Sequence, residues 1–414
     1  MPSTLHTYEQ ICHSVIELTS AQQPELIDLR RELHQHPELA GTEFQTTIRL
    51  ADYLRQRGIP IELHPQQRGF SVEIADGHAT GETPIVGLRG DIDAVGIQDC
   101  KTVSYHSRNP GATHACGHDV HSSALCGAVV ALHRLAERGQ LPHGFRARAV
   151  FQPAEENATG ATEMIERGVL QGVAAIFAMH VDPSRTLGQV GLKPGVNSAF
   201  CDELHVRVQG RGGHAARPFE TLDPVAAAAQ FITMAYSIIP RAVDNRDALV
   251  LTFAAIHGGI TPNVIPDEVS ILGTMRSLEK NSRDAAIQRL QSVAQAVGAA
   301  TGTTIEFRIT VHCPAVECDQ SLVEVAWNAC ERVVGADGMQ MIPKPSMGGE
   351  DFAFYLQHVP GVMARIGCAD PAGRAFPLHS SHFDLHEGVI EIGAKYLALA
   401  ALQWHANQHH RYAH

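Results

Sequence analysis

A chain of 414 residues, 44% hydrophobic and 18% charged, is globular in balance and longer than one hydrophobic core usually serves, so two domains are expected. Its net charge of -12 argues against a nucleic-acid partner, which needs a basic face, and supplies no polybasic segment for an anionic membrane. Nine irregularly spaced cysteines, an odd number, agree with a reducing compartment rather than a disulfide framework.

From the N-terminus, residues 1–25 lack a basic-then-apolar leader pattern, and no later apolar run reaches the roughly 18 residues of a membrane span. A cytoplasmic protein with no membrane partner is the expectation. Residues 25–36 have helical spacing, with Leu26, Leu29 and Leu33 on one face, and Pro37 closes the helix. Alternating apolar runs and helical stretches then predict an α/β domain whose mostly parallel sheet is flanked by helices. Four of the runs lead into acids or histidines. Residues 84–88 precede Arg89-Gly-Asp91-Ile-Asp93, residues 146–151 precede Gln152-Pro-Ala-Glu155-Glu156, residues 174–179 end on His180, and residues 362–367 precede a loop to His379. That places a site at the carboxyl edge of a sheet, where open α/β folds bind ligands. A helix over 122–138 begins just after His114-Ala-Cys116-Gly-His118-Asp119.

The middle of the chain changes character. Strands over 203–209, 248–257, 268–275 and 304–312 and helices over 224–239 and 282–300 come in the order β-α-β-β-α-β, a ferredoxin-like α+β unit. The expected organisation is a catalytic domain in two parts, residues 1–197 and 314–414, with residues 198–313 inserted as a separate small domain. Among the 25 histidines, those in the tail 405–414 read as belonging to a frayed terminus.

Cys116-Gly117-His118 offers a thiolate and an imidazole two residues apart, able to face one metal ion if Gly117 permits a turn. Alone, such a pair is more often incidental. Glu155-Glu156 places two carboxylates side by side, a repulsion that a cation or a shared proton offsets. One can bind a metal while the other acts as general base, although a solvated acidic loop would read the same way. His180 and His379 are each as compatible with a structural histidine as with a ligand. Together, Cys116, His118, Glu156, His180 and His379 form a donor set suited to zinc, manganese, cobalt or nickel.

The order and wording of the motifs resemble the M20 metallopeptidase family, in its amidohydrolase branch of aminoacylases, hippurate hydrolases and indoleacetyl-amino-acid hydrolases. The resemblance runs from Arg31-Glu-Leu-His-Gln-His36-Pro-Glu38 through Leu88–Ala94, His114–Asp119, Phe151–Glu156 and Ala178–His180. It continues through Gly210–Ala216, Thr261–Pro266, Gly273–Arg276 and Met347–Phe352 to Leu378–Phe383. It implies a catalytic domain holding one or two divalent metals through those five ligands, with an inserted ferredoxin-like lid. Glu155 is implied as general base and Asp93 as a supporting acid. His214 of the lid is implied to stabilise the oxyanion, often across a dimer interface, and Asn263 and Arg276 to grip the substrate carboxylate. Each has a plainer alternative: an exposed hairpin histidine, a turn-forming asparagine, a surface ion-pair arginine. Gly348-Gly349-Glu350-Asp351 reads only as a helix N-terminus with favourable acids. Departures from the family wording at Arg217-Pro218-Phe219, Gly349 and Ser381 bear on the substrate pocket more than on the reaction.

The activity implied is metal-dependent hydrolysis of the amide of an N-acyl-L-amino acid, a small-molecule substrate, by a homodimer formed through the lid. Alternatives are a dipeptidase or carboxypeptidase, or an N-carbamoyl-amino-acid hydrolase, on the same scaffold. A catalytically silent metal-binding relative is a further one, although such a protein would be expected to lack Glu155 or a ligand.

Overall fold

A capping box between Thr7 and Gln10 starts the first helix, Tyr8–Gln35, in a computed structural model that describes residues 7–64, 66–372 and 376–412. This helix is far longer than the expected one and runs through Pro24. The ring costs one backbone hydrogen bond, and burial of Leu18, Gln22, Leu26 and Leu29 around it keeps the helix intact. The chain divides into two units.

The first unit takes the chain up to Gly195, Glu317–Pro343, and the chain from Asp351 on. Its sheet has seven strands among the described residues, ordered Phe70–Ala75, Arg146–Gln152, Ile85–Asp91, Val173–Thr186, Gly361–Ala369, Val190–Leu192 and Met339–Met341. Neighbours are parallel except at Phe70–Ala75 and between Gly361–Ala369 and Val190–Leu192. The central strands are buried almost throughout, as parallel strands covered on both faces must be. His180 does not end its strand. It pairs with Arg365, and the ladder continues to Asp182.

Helices His118–Glu137 and Gly388–Tyr412 pack on each other and on Tyr8–Gln35. Gly127 allows the approach, since a Cβ there would lie 2.7 Å from Leu26 and 2.9 Å from Ala394. His405 is no part of a frayed end. It is buried within Gly388–Tyr412 with its ring 5.5 Å from that of Phe145, because the apolar face of this helix extends to Trp404. His414 lies outside the described residues.

The second unit comprises Val196–Val316 and Lys344–Glu350, a segment the sequence reading placed with the C-terminal part of the catalytic domain. Backbone bonds from Ser346 to Asn197 (2.9 Å) and from Ala199 to Gly348 (3.2 Å) attach it. The antiparallel sheet runs Thr304–Cys313, Phe200–Gln209, Glu268–Ser277, Leu249–His257. With the connecting helices this is the ferredoxin-like order. Helices Pro224–Ile238 and Lys280–Thr301 cover the face bearing Leu204, Val206, Val208, Val269 and Ile271, through Phe231, Leu290, Val293 and Val297.

Candidate active site

Every residue of Ile85–Asp91 is buried, including Arg89, whose guanidinium would be costly to bury without acceptors. Nε donates to Gln152 Oε1 (2.8 Å), Nη1 to Asp91 Oδ2 (2.6 Å) and Nη2 to Asp351 Oδ1 (2.7 Å). Asp351 also accepts the Ala161 N–H at 3.0 Å, and its own N–H donates to Glu155 Oε1 at 3.4 Å. Asp351 does precede a short helix, Phe352–Leu356, but its carboxylate makes no capping bond. It belongs to the frame that holds the acid pair.

Asp91 Oδ1 lies 2.6 Å from His121 Nδ1, while His121 Nε2 accepts the Val181 N–H at 3.0 Å, so the His121 proton sits on Nδ1. Burial alone would push the Asp91 carboxyl up, but His118, His121 and Arg89 outweigh it and hold it well below the usual range. Asp93 orients the next ring. Its carbonyl oxygen and Oδ1 lie 3.0 and 3.1 Å from His118 Nδ1, and its Oδ2 accepts the Glu156 N–H at 3.0 Å. His180 Nδ1 donates to the Val181 carbonyl at 2.8 Å. Both rings therefore keep their proton on the outer nitrogen and turn Nε2 inward.

The inward atoms converge. His118 Nε2 is buried with no hydrogen-bond partner among the described residues, 3.8 Å from Glu155 Oε2 and 3.9 Å from Glu156 Oε1. His180 Nε2 is 3.6 Å from Cys116 Sγ, and His379 Nε2 is 3.3 Å from Glu156 Oε1. Ligand-type atoms of Cys116, His118 and His180 lie within 4.8 Å of one another, as do those of Cys116, Glu156 and His379, and of His118, Glu155 and Glu156. Burial pushes the Cys116 thiol up and the His180 imidazole well down. The bond to Glu156 raises His379. Two imidazoles with their protons turned away, a thiol and two carboxylates form a donor set that suits a divalent metal.

Local backbone explains the convergence. Gly117 has φ 89°, and a Cβ there would meet Val181 at 2.5 Å, so the turn between Cys116 and His118 excludes any side chain. Ala154, ahead of the acid pair, holds φ 52°. Its N–H donates to Glu43 Oε1 at 2.7 Å, and Glu43 is wholly buried. The His379 N–H donates to the Ala115 carbonyl at 2.8 Å, bringing a half-exposed imidazole from a distant loop beside Cys116.

Of the nominated residues, Asp93, Cys116, His118, Glu155, Glu156, His180 and His379 meet in the first unit. In the second, a two-stranded ladder sets His214 opposite Val264, and the Ala215 N–H donates to the Asn263 carbonyl at 3.1 Å. His214 is exposed, and its Nδ1 accepts the Ala216 N–H at 3.1 Å, which leaves Nε2 as the donor. Arg276 bonds Thr274 Oγ1 and, at 3.3 Å, the Met275 carbonyl, with no carboxylate partner among the described residues. Sequence reasoning missed Glu43, Asp91, His121 and Asp351. Asp91 and Asp351 stand inside quoted motifs and His121 follows one by two residues, and that proximity was the available signal. Glu43 acts from outside those motifs.

Residues 87–403 match the family model described as Peptidase family M20/M25/M40. The chain belongs to this family. Over 378 residues this M20 chain is 34% identical to an N-acetylcysteine deacetylase of Bacillus subtilis, covering 91% of this chain and 96% of that one. It is 32% identical over 389 residues to thermostable carboxypeptidase 2 of Saccharolobus solfataricus, covering 92% and 95%. The crystal structure of the Bacillus subtilis YXEP protein, described as a dinuclear metal-binding peptidase of the M20 family, superposes with a TM-score of 0.76. It is 32% identical, over 92% of this chain and 98% of that one. This M20 protein is a metal-dependent amidohydrolase. No helix among its described residues is long and apolar enough to cross a membrane.

Proposed function

We propose that the protein cleaves the amide of N-acyl-L-amino acids, releasing a carboxylic acid and a free amino acid, with Cys116, His118, Glu156, His180 and His379 holding one or two divalent ions. The observation that carries this reading is the inward turn of His118 Nε2 and His180 Nε2, enforced by Asp93 and by the Val181 carbonyl, beside an acid pair. A zinc, manganese, cobalt or nickel ion bound there supplies Lewis acidity, polarising the scissile carbonyl and lowering the pKa of a water toward about 7.

Glu155 takes the proton of the attacking water and returns it to the leaving nitrogen, working from a backbone set by Ala154 and Glu43. His214 donates from Nε2 to the oxygen that gains charge. Arg276, with no carboxylate partner among the described residues, binds the carboxylate of the amino-acid half through charge-assisted bonds, and Asn263 assists. Dimerisation through the second unit is supported by its edge strand Leu249–His257, which exposes Val250 and Ile256 beside a helix exposing Val225 and Tyr236.

Likeness to a carboxypeptidase keeps one other reading, cleavage of peptides at a free C-terminal residue, since the same carboxylate grip would serve both. Apo protein reconstituted with each of the four metals and assayed on N-acetyl, N-benzoyl and N-carbamoyl amino acids and on dipeptides separates them. Fastest turnover on the acyl-amino acids is expected. Preference for peptides supports the other reading, and undiminished hydrolysis after exhaustive chelation would sink both.

A further inference from the structure

We infer that Cys201 and Cys313 are a redox-active dithiol, which a low-molecular-weight disulfide of the glutathione type oxidises to a cross-strand disulfide that staples the second unit. Cys201 lies near the start of Phe200–Gln209 and Cys313 ends Thr304–Cys313, and the antiparallel register sets them directly opposite each other. Opposed residues on antiparallel strands have Cα atoms about 4.5 or 5.5 Å apart, and both spacings fall within the roughly 4.4–6.8 Å that a disulfide spans. Opposed side chains also share a sheet face.

The neighbouring pair shows that the register is held here. Asp202 and His312 are likewise opposed, with His312 Nδ1 2.9 Å from Asp202 Oδ1. Arg283 clasps the same carboxylate at 2.7 and 2.8 Å. These charged groups occupy the other face, leaving the cysteines their own. None of the nine cysteines is in a disulfide, and this is the one pair that strand register opposes among the described residues.

Both thiols are buried, at 8% and 3% exposure, with Gly349 close over Cys201, so attack begins when the end of the strand at Cys313 opens. One thiol, as thiolate, displaces half of the small disulfide and forms a mixed disulfide. The second thiolate then displaces the remaining half. Two protein thiols lose two electrons and two protons, and two small thiols leave. The unit's long segment enters at Val196 and leaves at Val316, so the new bond closes a loop around its whole sheet. Closing so long a loop constrains the unfolded chain strongly.

The test incubates the full chain with oxidised glutathione, blocks remaining thiols with N-ethylmaleimide in denaturant, and maps peptides without reduction. The expected result is a peptide pair joined through Cys201 and Cys313. A rise in thermal midpoint on the order of 5 °C should accompany it, reversed by dithiothreitol and absent in C313S. Both cysteines carrying the maleimide after oxidation, or cross-links confined to other cysteines, would overturn the inference. A joined peptide with an unchanged midpoint overturns the stapling. If C313S folds poorly, the map of the unaltered chain still decides.

Discussion

The two units hold their nominated residues in contrasting ways. In the first, His118 and His180 are buried and each ring has its outer nitrogen occupied, while Arg89, Asp91, Gln152 and Asp351 form a closed frame beneath them. In the second, His214 is exposed and, among the described residues, the Arg276 guanidinium bonds only groups of its own strand. The difference is one of preorganisation. Groups that gather a cation must lie within a few tenths of an ångström before it arrives, which requires a buried, fully bonded surround. His214, exposed on a two-residue strand, and Arg276, half-buried in Glu268–Ser277, are less closely bonded, which suits groups proposed to engage a substrate rather than a cation.

The contrast can be broken most forcefully at Glu155. Glu155→Gln should lower kcat by roughly a thousandfold while metal content stays at the parental level, because the amide keeps the shape and loses the base. Near-parental turnover in a steady-state assay would remove Glu155 from its role. His214→Ala should cost on the order of a hundredfold in kcat with chelator-competition metal affinity unchanged, as expected of a group outside the cradle. A parallel loss of metal would merge the two classes.

Glu43 sharpens the comparison, since its Oε1 holds the Ala154 and Gly41 N–H groups and it is none of the proposed ligands. Glu43→Ala strands the buried Ala154 N–H and should lower kcat about tenfold with KM little moved, while Glu43→Gln, which keeps an acceptor, recovers most of it. Equal loss in both variants would point to the charge rather than the bond. The smallest effect is expected at Asp202. Burial would push its carboxyl up, but the bond to His312 and the Arg283 pair hold it below the ordinary value. A depressed carboxylate stabilises the fold fully above its unfolded value of about 3.9, and that contribution is lost as pH falls toward the folded value. Urea midpoints at pH 7 and pH 3 should therefore fall further for the parent than for Asp202→Asn. Equal falls would mean that the pair does not couple to folding.

Much of this is legible in the sequence. The alternation in residues 203–209, 268–275 and 304–312 matched strands within a few residues, because one face of that sheet is apolar and the other polar. Gly117 was legible as a turn, and the ladder and frame around the acid pair were not. Pro24 stops a helix on local grounds, yet here burial on both sides carries the helix through it. His405 reads as tail by its neighbours and is core by its packing against Phe145.

From the sequence alone came the class of fold, the inserted ferredoxin-like order and a list of donors, because periodicity, turn chemistry and motif order are local properties. Tertiary structure alone decided which nitrogen of each histidine faces inward, that Glu43 steadies Ala154, and that Lys344–Glu350 joins the second unit. The Arg89–Asp351 bond, spanning 262 positions, shows why. A buried charge must find its partner in space, and no local pattern records which distant residue will supply it.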